Sequence, residues 1–229
     1  NKKIFSERGW NERPQNWEEF MKLCEKIKGS GISPLVGPGK FPGYFDFTFG
    51  AIPYEVGGEE YTSAEYNWQP DLYISKPYLT MLERVETFAK KGYFHPGVIS
   101  FDHTQAQMEF LQGKAAMLST GSWVEYEMRN AVDKDFEWGF MPFPGNDEGQ
   151  KQVILITEGQ VGVIWKNKPE LNKRWAKEFK LWNLNLDVQR EYMKGGLLPV
   201  RKDLNYKEEQ LIDTSPAVNV VIELLVDQD

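Results

Sequence analysis

The chain is poor in the residues that make site chemistry easy to recognise. It has one cysteine, Cys24, so no internal disulfide can form. It has two histidines, His95 and His103, eight positions apart, and no H-E-x-x-H pair. No Cys/His cluster has zinc-site spacing. Neither a Walker loop, a G-x-S-x-G elbow nor a G-x-G-x-x-G turn follows any candidate strand. No apolar run approaches the roughly 18 residues that a membrane-spanning helix needs. Positive charge is in deficit: 27 Lys and Arg against 34 Asp and Glu leave the chain at -7. That balance argues against a nucleic-acid partner and against an anionic membrane surface. These absences exclude metal-assisted hydrolysis and nucleotide-driven chemistry as first readings, and no cofactor is called for. The many carboxylates leave a glycosidase acid/base pair open as a rival.

What is present is a folded chain: 229 residues, 41% hydrophobic and 27% charged. Helical periods alternate with short apolar runs, which defines an α/β protein. Trp17, Phe20, Met21, Cys24 and Ile27 fall on one helical face. Asn16 is placed to cap that helix, with Glu19 three residues on. Cys24 on this stripe is a small buried hydrophobe. A short strand is expected around Leu35. The Gly-, Pro- and aromatic-rich stretch after it is expected to be loop, with any helical period confined to residues 45–52, and residues 61–75 a surface excursion.

Pro77 opens a helix with Tyr78, Leu82, Val85 and Ala89 inward. Thr104 to Gln107 is read as a capping box, and residues 114–118 as a buried strand. Phe136, Trp138 and Phe140 alternate as a strand does. The β-branched runs 153–156 and 161–165 flank a possible hinge. Leu171, Trp175, Phe179, Trp182 and Leu186 are expected to be a buried helical stripe, with Trp165 also packed inside. Ser215 and Pro216 start a last helix whose apolar face is Val218, Val221, Ile222 and Leu225. The chain begins at Asn1 without methionine or leader, and it is expected to be a piece of a longer protein.

The stretch FLQGKAAMLSTGSWVEYEM, residues 110–128, is the centre of this pattern. A buried strand meets a glycine turn at Gly121, and Trp123 sits at the mouth of a new helix with Glu125 and Glu127 behind it. An indole face beside fixed acceptors suits a sugar, whose C–H faces stack while its hydroxyls hydrogen-bond.

RPQNWEEFMKLCEKIKGSGISPL, FLQGKAAMLSTGSWV and GGLLPVRKDL stand in the order of three motifs of the extracellular solute-binding proteins of ABC sugar importers. The chain resembles that family over almost its whole length. GKFPGYF together with GSWVEYEM resembles the branch that takes up amino sugars or small oligosaccharides.

The resemblance implies a two-lobe, type II periplasmic-binding-protein fold with the ligand between the lobes. Residues 1–156 would be the main part of the C-terminal lobe. Residues 157–205 would return to the N-terminal lobe, 206–229 would be a return helix, and the first N-terminal-lobe strands would be absent. It implies no catalysis, a mono- or oligosaccharide ligand, an ABC permease as partner and a monomer. It also implies an extracellular location, lipid-anchored or periplasmic. By resemblance Trp123 would stack on the sugar. Glu127, Lys40, Tyr44, Phe45, Asp46, Glu158 and Arg201 are the further ligand-binding candidates. The rivals are a glycoside hydrolase-like enzyme and a same-fold binder of a non-sugar solute.

Overall fold

The computed structural model describes residues 1–10, 13–149, 152, 162–194, 197, 199–201 and 203–204. The chain forms two compact units. The first is Asn1–Gly121 with Ala131–Leu155, and the second is Ser122–Asn130 with Ile156–Asp229. The expected strand at 153–156, the hinge and the last helix lie outside the described residues, as does Glu158.

The first unit contains α1 (Lys2–Glu7), α2 (Trp17–Gly29), β1 (Ser33–Val36), α3 (Asp46–Phe49), α4 (Ile52–Tyr66), α5 (Lys76–Lys90), α6 (His103–Leu111) and β2 (Ala115–Leu118). Its sheet is the parallel pair β1 and β2, with Leu35 opposite Met117. An isolated parallel bridge joins Leu35 to Phe94 at the sheet edge. Parallel strands need covered faces. Here α2 supplies Phe20, Leu23, Cys24 and Ile27, all buried.

α2 starts as its sequence predicts, because the Asn16 Oδ1 accepts the Glu19 backbone N–H at 3.0 Å. Glu19 returns its bond one residue earlier than expected, accepting from the Gln15 N–H at 2.8 Å. The cap of α6 is also displaced. Asp102, not Thr104, is the N-cap, and its carboxylate accepts the Gln105 N–H at 2.9 Å while Gln105 Oε1 accepts the Asp102 N–H at 3.0 Å. An aspartate in extended backbone outcompetes the threonine two positions on.

Two further expectations are corrected, and a third gains structure. Residues 61–75, expected as a surface excursion, are largely exposed but partly helical: α4 runs through to Tyr66 and a 3₁₀ turn covers Pro70–Ile74. Gly58 makes this possible, since it adopts φ 54° and joins two helical pieces across a kink that other residues resist. The face of α5 is turned by one residue, so that Phe88 is its buried side chain and Ala89 is exposed. Residues 136–140 form no ladder. Phe136 and Trp138 instead lay their rings against Phe110, at 5.9 and 5.8 Å between centroids.

The core of the first unit is aromatic. Phe20 stacks on Phe88 at 6.0 Å, and Phe49 meets Phe88, Phe94 and Phe143 edge-on at 5.2 to 5.8 Å. Offset and edge-to-face contacts of this kind add to the burial of the rings. Both histidines are half-buried among rings of this unit. His95 Nδ1 accepts the Gly97 N–H at 3.1 Å, which leaves Nε2 to face Glu109 at 3.2 Å. His103 lies between Phe41 and Tyr44, 4.2 and 4.4 Å away.

The described part of the second unit contains α7 (Val124–Met128), α8 (Glu170–Asn183) and α9 (Leu186–Lys194). Met193 and Leu204 are buried together, with Leu186 against them. α8 departs from expectation. Leu171, Trp175, Phe179 and Trp182 were expected inside, yet they are 63%, 66%, 58% and 57% exposed, and Trp165 is 69% exposed. The helix forms with the predicted periodicity, but among the described residues no layer covers its apolar side.

Candidate functional site

The second unit has an open cleft of about 440 Å³, within the size range of small-molecule sites. One wall comes from the short α7 segment and the other from the end of α9. Trp123 occupies the N-cap position of α7 and is half-buried. Its side chain is part of the cleft lining. Tyr126 and Glu127 follow at three and four positions, the spacing that keeps helical residues on one face. Arg129 completes this wall. Its guanidinium lies 3.9 Å from the centre of the Tyr126 ring and donates to the Tyr126 carbonyl oxygen at 2.6 Å.

The opposite wall holds Glu191, Tyr192 and Leu197. The Tyr192 hydroxyl donates to Asn183 Oδ1 at 3.0 Å, which ties α9 back to the end of α8. Glu191 is paired with Lys194 at 2.6 Å. The cleft thus offers three aromatic rings, one aliphatic side chain, two carboxylates and one guanidinium. Aromatic faces take apolar C–H surfaces, carboxylates accept from hydroxyls, and the guanidinium donates to carbonyl or hydroxyl oxygens. Among the described residues no group of three or more His, Cys, Asp or Glu is placed to hold a metal ion.

Of the residues singled out by sequence, Trp123 and Glu127 are brought together in this cleft. Arg201, in the same unit, is not in its lining. It donates through Nε to Asp203 at 2.8 Å and through one terminal nitrogen to the Leu184 carbonyl at 2.8 Å, fastening its loop to the end of α8. The Asp203 carboxylate holds Arg201 above its usual range and is itself held below its own.

Lys40, Tyr44, Phe45 and Asp46 belong to the first unit. Lys40 is exposed, with its backbone N–H donating to the Phe101 carbonyl at 3.1 Å. Tyr44 is half-buried against Phe47 and His103. Phe45 is turned into the core, where its ring meets Phe94 at 5.3 Å and closes over Gly37. A Cβ at Gly37 would stand 2.8 Å from that ring. Asp46 is open to solvent, but the protein around it pushes its carboxyl above the usual range by desolvation.

Tyr126, Arg129, Glu191, Tyr192 and Leu197 were not singled out by sequence. Tyr126 is three positions from Trp123 and Arg129 three from Tyr126, on whose ring it packs, so helical spacing was the available signal. The other three arrive from about seventy residues away by tertiary folding, and no local pattern announces them.

The chain belongs to the bacterial extracellular solute-binding protein family, whose model matches residues 1–185. It is 26% identical over 142 residues to the diacetylchitobiose binding protein NgcE of Streptomyces coelicolor, covering 62% of this chain and 30% of that one. It superposes on a chitin oligosaccharide binding protein with TM-score 0.71 at 20% identity, over 97% of this chain and 55% of that one. A sugar transporter protein of Bacillus licheniformis, solved in complex with stachyose, gives TM-score 0.67 at 16% identity, over 93% of this chain and 56% of that one. The fold is therefore α/β of the type II periplasmic-binding-protein class, in part. The chain spans about half, or less, of the length of the relatives it matches.

Proposed function

We propose that this chain is part of the substrate-binding component of an ABC importer, and that it captures an oligosaccharide without altering it. The observation that carries the reading is Trp123: a half-buried indole at the lip of a 440 Å³ cleft, with Glu127, Glu191 and Arg129 around it. A pyranose ring laid on Trp123 would use the dispersion and C–H contacts of the indole, while Glu127 accepts from hydroxyls. Tyr126 and Tyr192 extend the platform for a second ring. Arg129 gives a donor suited to an acetamide or hydroxyl oxygen. Exposed Lys40 and Asp46, with Tyr44, are the first unit's candidate contacts for hydroxyls.

The name of the Streptomyces coelicolor relative supports an N-acetylated amino-sugar oligosaccharide as the ligand. A permease as partner, a monomeric state and attachment by a lipid anchor or retention in the periplasm are parts of the same proposal. So is the division into lobes, with residues 1–156 the main part of one lobe and residues 157–205 returning to the other.

Titration calorimetry with diacetylchitobiose, stachyose, a simple disaccharide and a short peptide tests the reading. The expected result is micromolar or tighter binding of a neutral oligosaccharide, on the order of 8 kcal/mol, with the sugar recovered intact. Release of new reducing ends would favour a glycoside hydrolase. Binding of the peptide alone would favour a non-sugar solute.

A further inference from the structure

The end of α4 is closed by a tryptophan at a position that favours glycine. The Trp68 N–H donates to the Glu65 carbonyl at 2.9 Å, and the Gln69 N–H donates to the Ala64 carbonyl at 3.0 Å. This pair of bonds needs a left-handed residue between them, usually a glycine. Trp68 takes that conformation, with φ 52°, and among the described residues it is the one non-glycine residue with positive φ. A Cβ makes the left-handed turn costly. Burial does not offset that cost, since Trp68 is 87% exposed. Close to it in sequence, Tyr66, Tyr73 and Ile74 are 80%, 59% and 71% exposed. Tyr73 is fixed by an edge-on contact with Tyr78 at 5.2 Å. At roughly 200 Å² per ring, Tyr66, Trp68 and Tyr73 leave on the order of 450 Å² in water, as much as the largest apolar patch of a typical monomer.

The charge on this segment has one sign. Residues 41–75 hold six Asp and Glu and no Lys or Arg. Glu59, Glu60, Glu65 and Asp71 are exposed. Aromatic faces and carboxylates share a preference, because both attract cations. A guanidinium satisfies them together: its plane stacks on a ring while its edge forks onto a carboxylate. We infer that the end of α4 and the 3₁₀ turn after it, with Trp68 at the centre, form a docking surface for a basic, arginine-bearing segment of a partner protein. Charge complementarity selects this occupant. A sugar hydroxyl both donates and accepts, and this segment has no cationic donor. The same carboxylates repel an anionic lipid surface. A two-fold contact between copies would set acid against acid. The surface lies in the first unit, whereas the cleft lined by Trp123 lies in the second.

Proton–nitrogen correlation spectra of the 229-residue chain, labelled at its eight tryptophans, test this through the indole signals. Trp68→Gly identifies the Trp68 signal by its loss. The probe is an acetylated, amidated peptide of four Gly-Arg repeats. Its citrulline analogue, which keeps the shape without the charge, is the control. The Trp68 signal should shift saturably with the arginine peptide, at a dissociation constant on the order of 1 mM. Binding should be about tenfold weaker for the citrulline peptide and in the Glu65→Gln, Asp71→Asn double variant. Trp68→Gly should raise the folded-to-unfolded ratio in urea about fivefold, because the strained turn is relieved and little burial is lost. An unmoved Trp68 signal, or an equal response to the two peptides, would overturn the inference. So would a Trp68 shift with diacetylchitobiose but not with the arginine peptide, a concentration-dependent shift without peptide that marks a second copy, or a loss of stability in Trp68→Gly. The peptide carries no sugar, so the outcome is independent of what the cleft binds.

Discussion

In the first unit Phe20, Phe49, Ile52 and Phe88 are at most 3% exposed, and each touches other aromatic or aliphatic side chains of that unit. In the second, Trp175, Phe179 and Trp182 are 57% to 66% exposed, although their sequence pattern is as regular as that of α2. Periodicity states which side of a helix is apolar. Burial depends on whether the opposing layer is in the same stretch of chain. The first unit brings its layers together within about 150 residues, and the described part of the second shows an aromatic face and a cleft open.

Substitutions can sharpen or break this contrast. Phe88→Ala should cost the 229-residue chain about 3–5 kcal/mol in urea unfolding, the range for emptying a packed aromatic site. Trp175→Ala should stay within about 0.5 kcal/mol in the same chain, as a surface change does. Similar losses from the two variants would erase the distinction between a closed and an open core.

Alkaline pH probes the closed core through Cys24. Burial pushes its thiol well above 9.0, where an unfolded thiol ionises. Above that pH the unfolded chain loses a proton that the native chain keeps, so stability present below pH 9 falls as pH rises. The slope is up to about 1.4 kcal/mol per pH unit. Tyr61, pushed up to about 12 chiefly by burial, adds a second decline that begins near its ordinary value of 10.0. Cys24→Ala should remove the first decline and keep the second; an unchanged profile from roughly pH 8 to 10 would mean that the thiol is open to water. The smallest effect is expected at the cap of α6, where Asp102→Ala should cost about 1 kcal/mol and Thr104→Ala much less. The reverse order would restore the cap that the sequence pattern first indicated.

Much of the first unit was legible because its signals are local. Asn16 and the stripe of α2 fix a helix, and the small apolar run at 115–118 fixes a strand. The α6 cap was misplaced because aspartate and threonine both compete for the same helix start. The 136–140 strand failed because alternation describes a pleat only when a neighbouring strand is there to pair, and Phe110 offers those rings a packing surface instead. At the cleft, the Trp123 turn was legible from Gly121 and the helix that follows. Glu191, Tyr192 and Leu197 were not, since only tertiary folding brings α9 opposite α7. Phe45 illustrates the converse: an aromatic in a glycine-rich loop reads as ligand-facing, yet Gly37 admits it to the core.

The account rests on the indole at position 123 carrying the sugar. The direct measurement is calorimetric affinity of the wild-type protein and of Trp123→Ala for the oligosaccharide that binds best, with far-UV circular dichroism to verify folding. The account predicts an affinity loss of roughly 10- to 100-fold, the worth of about 1.5–3 kcal/mol of lost ring contact. Equal affinity in a folded Trp123→Ala protein would contradict it.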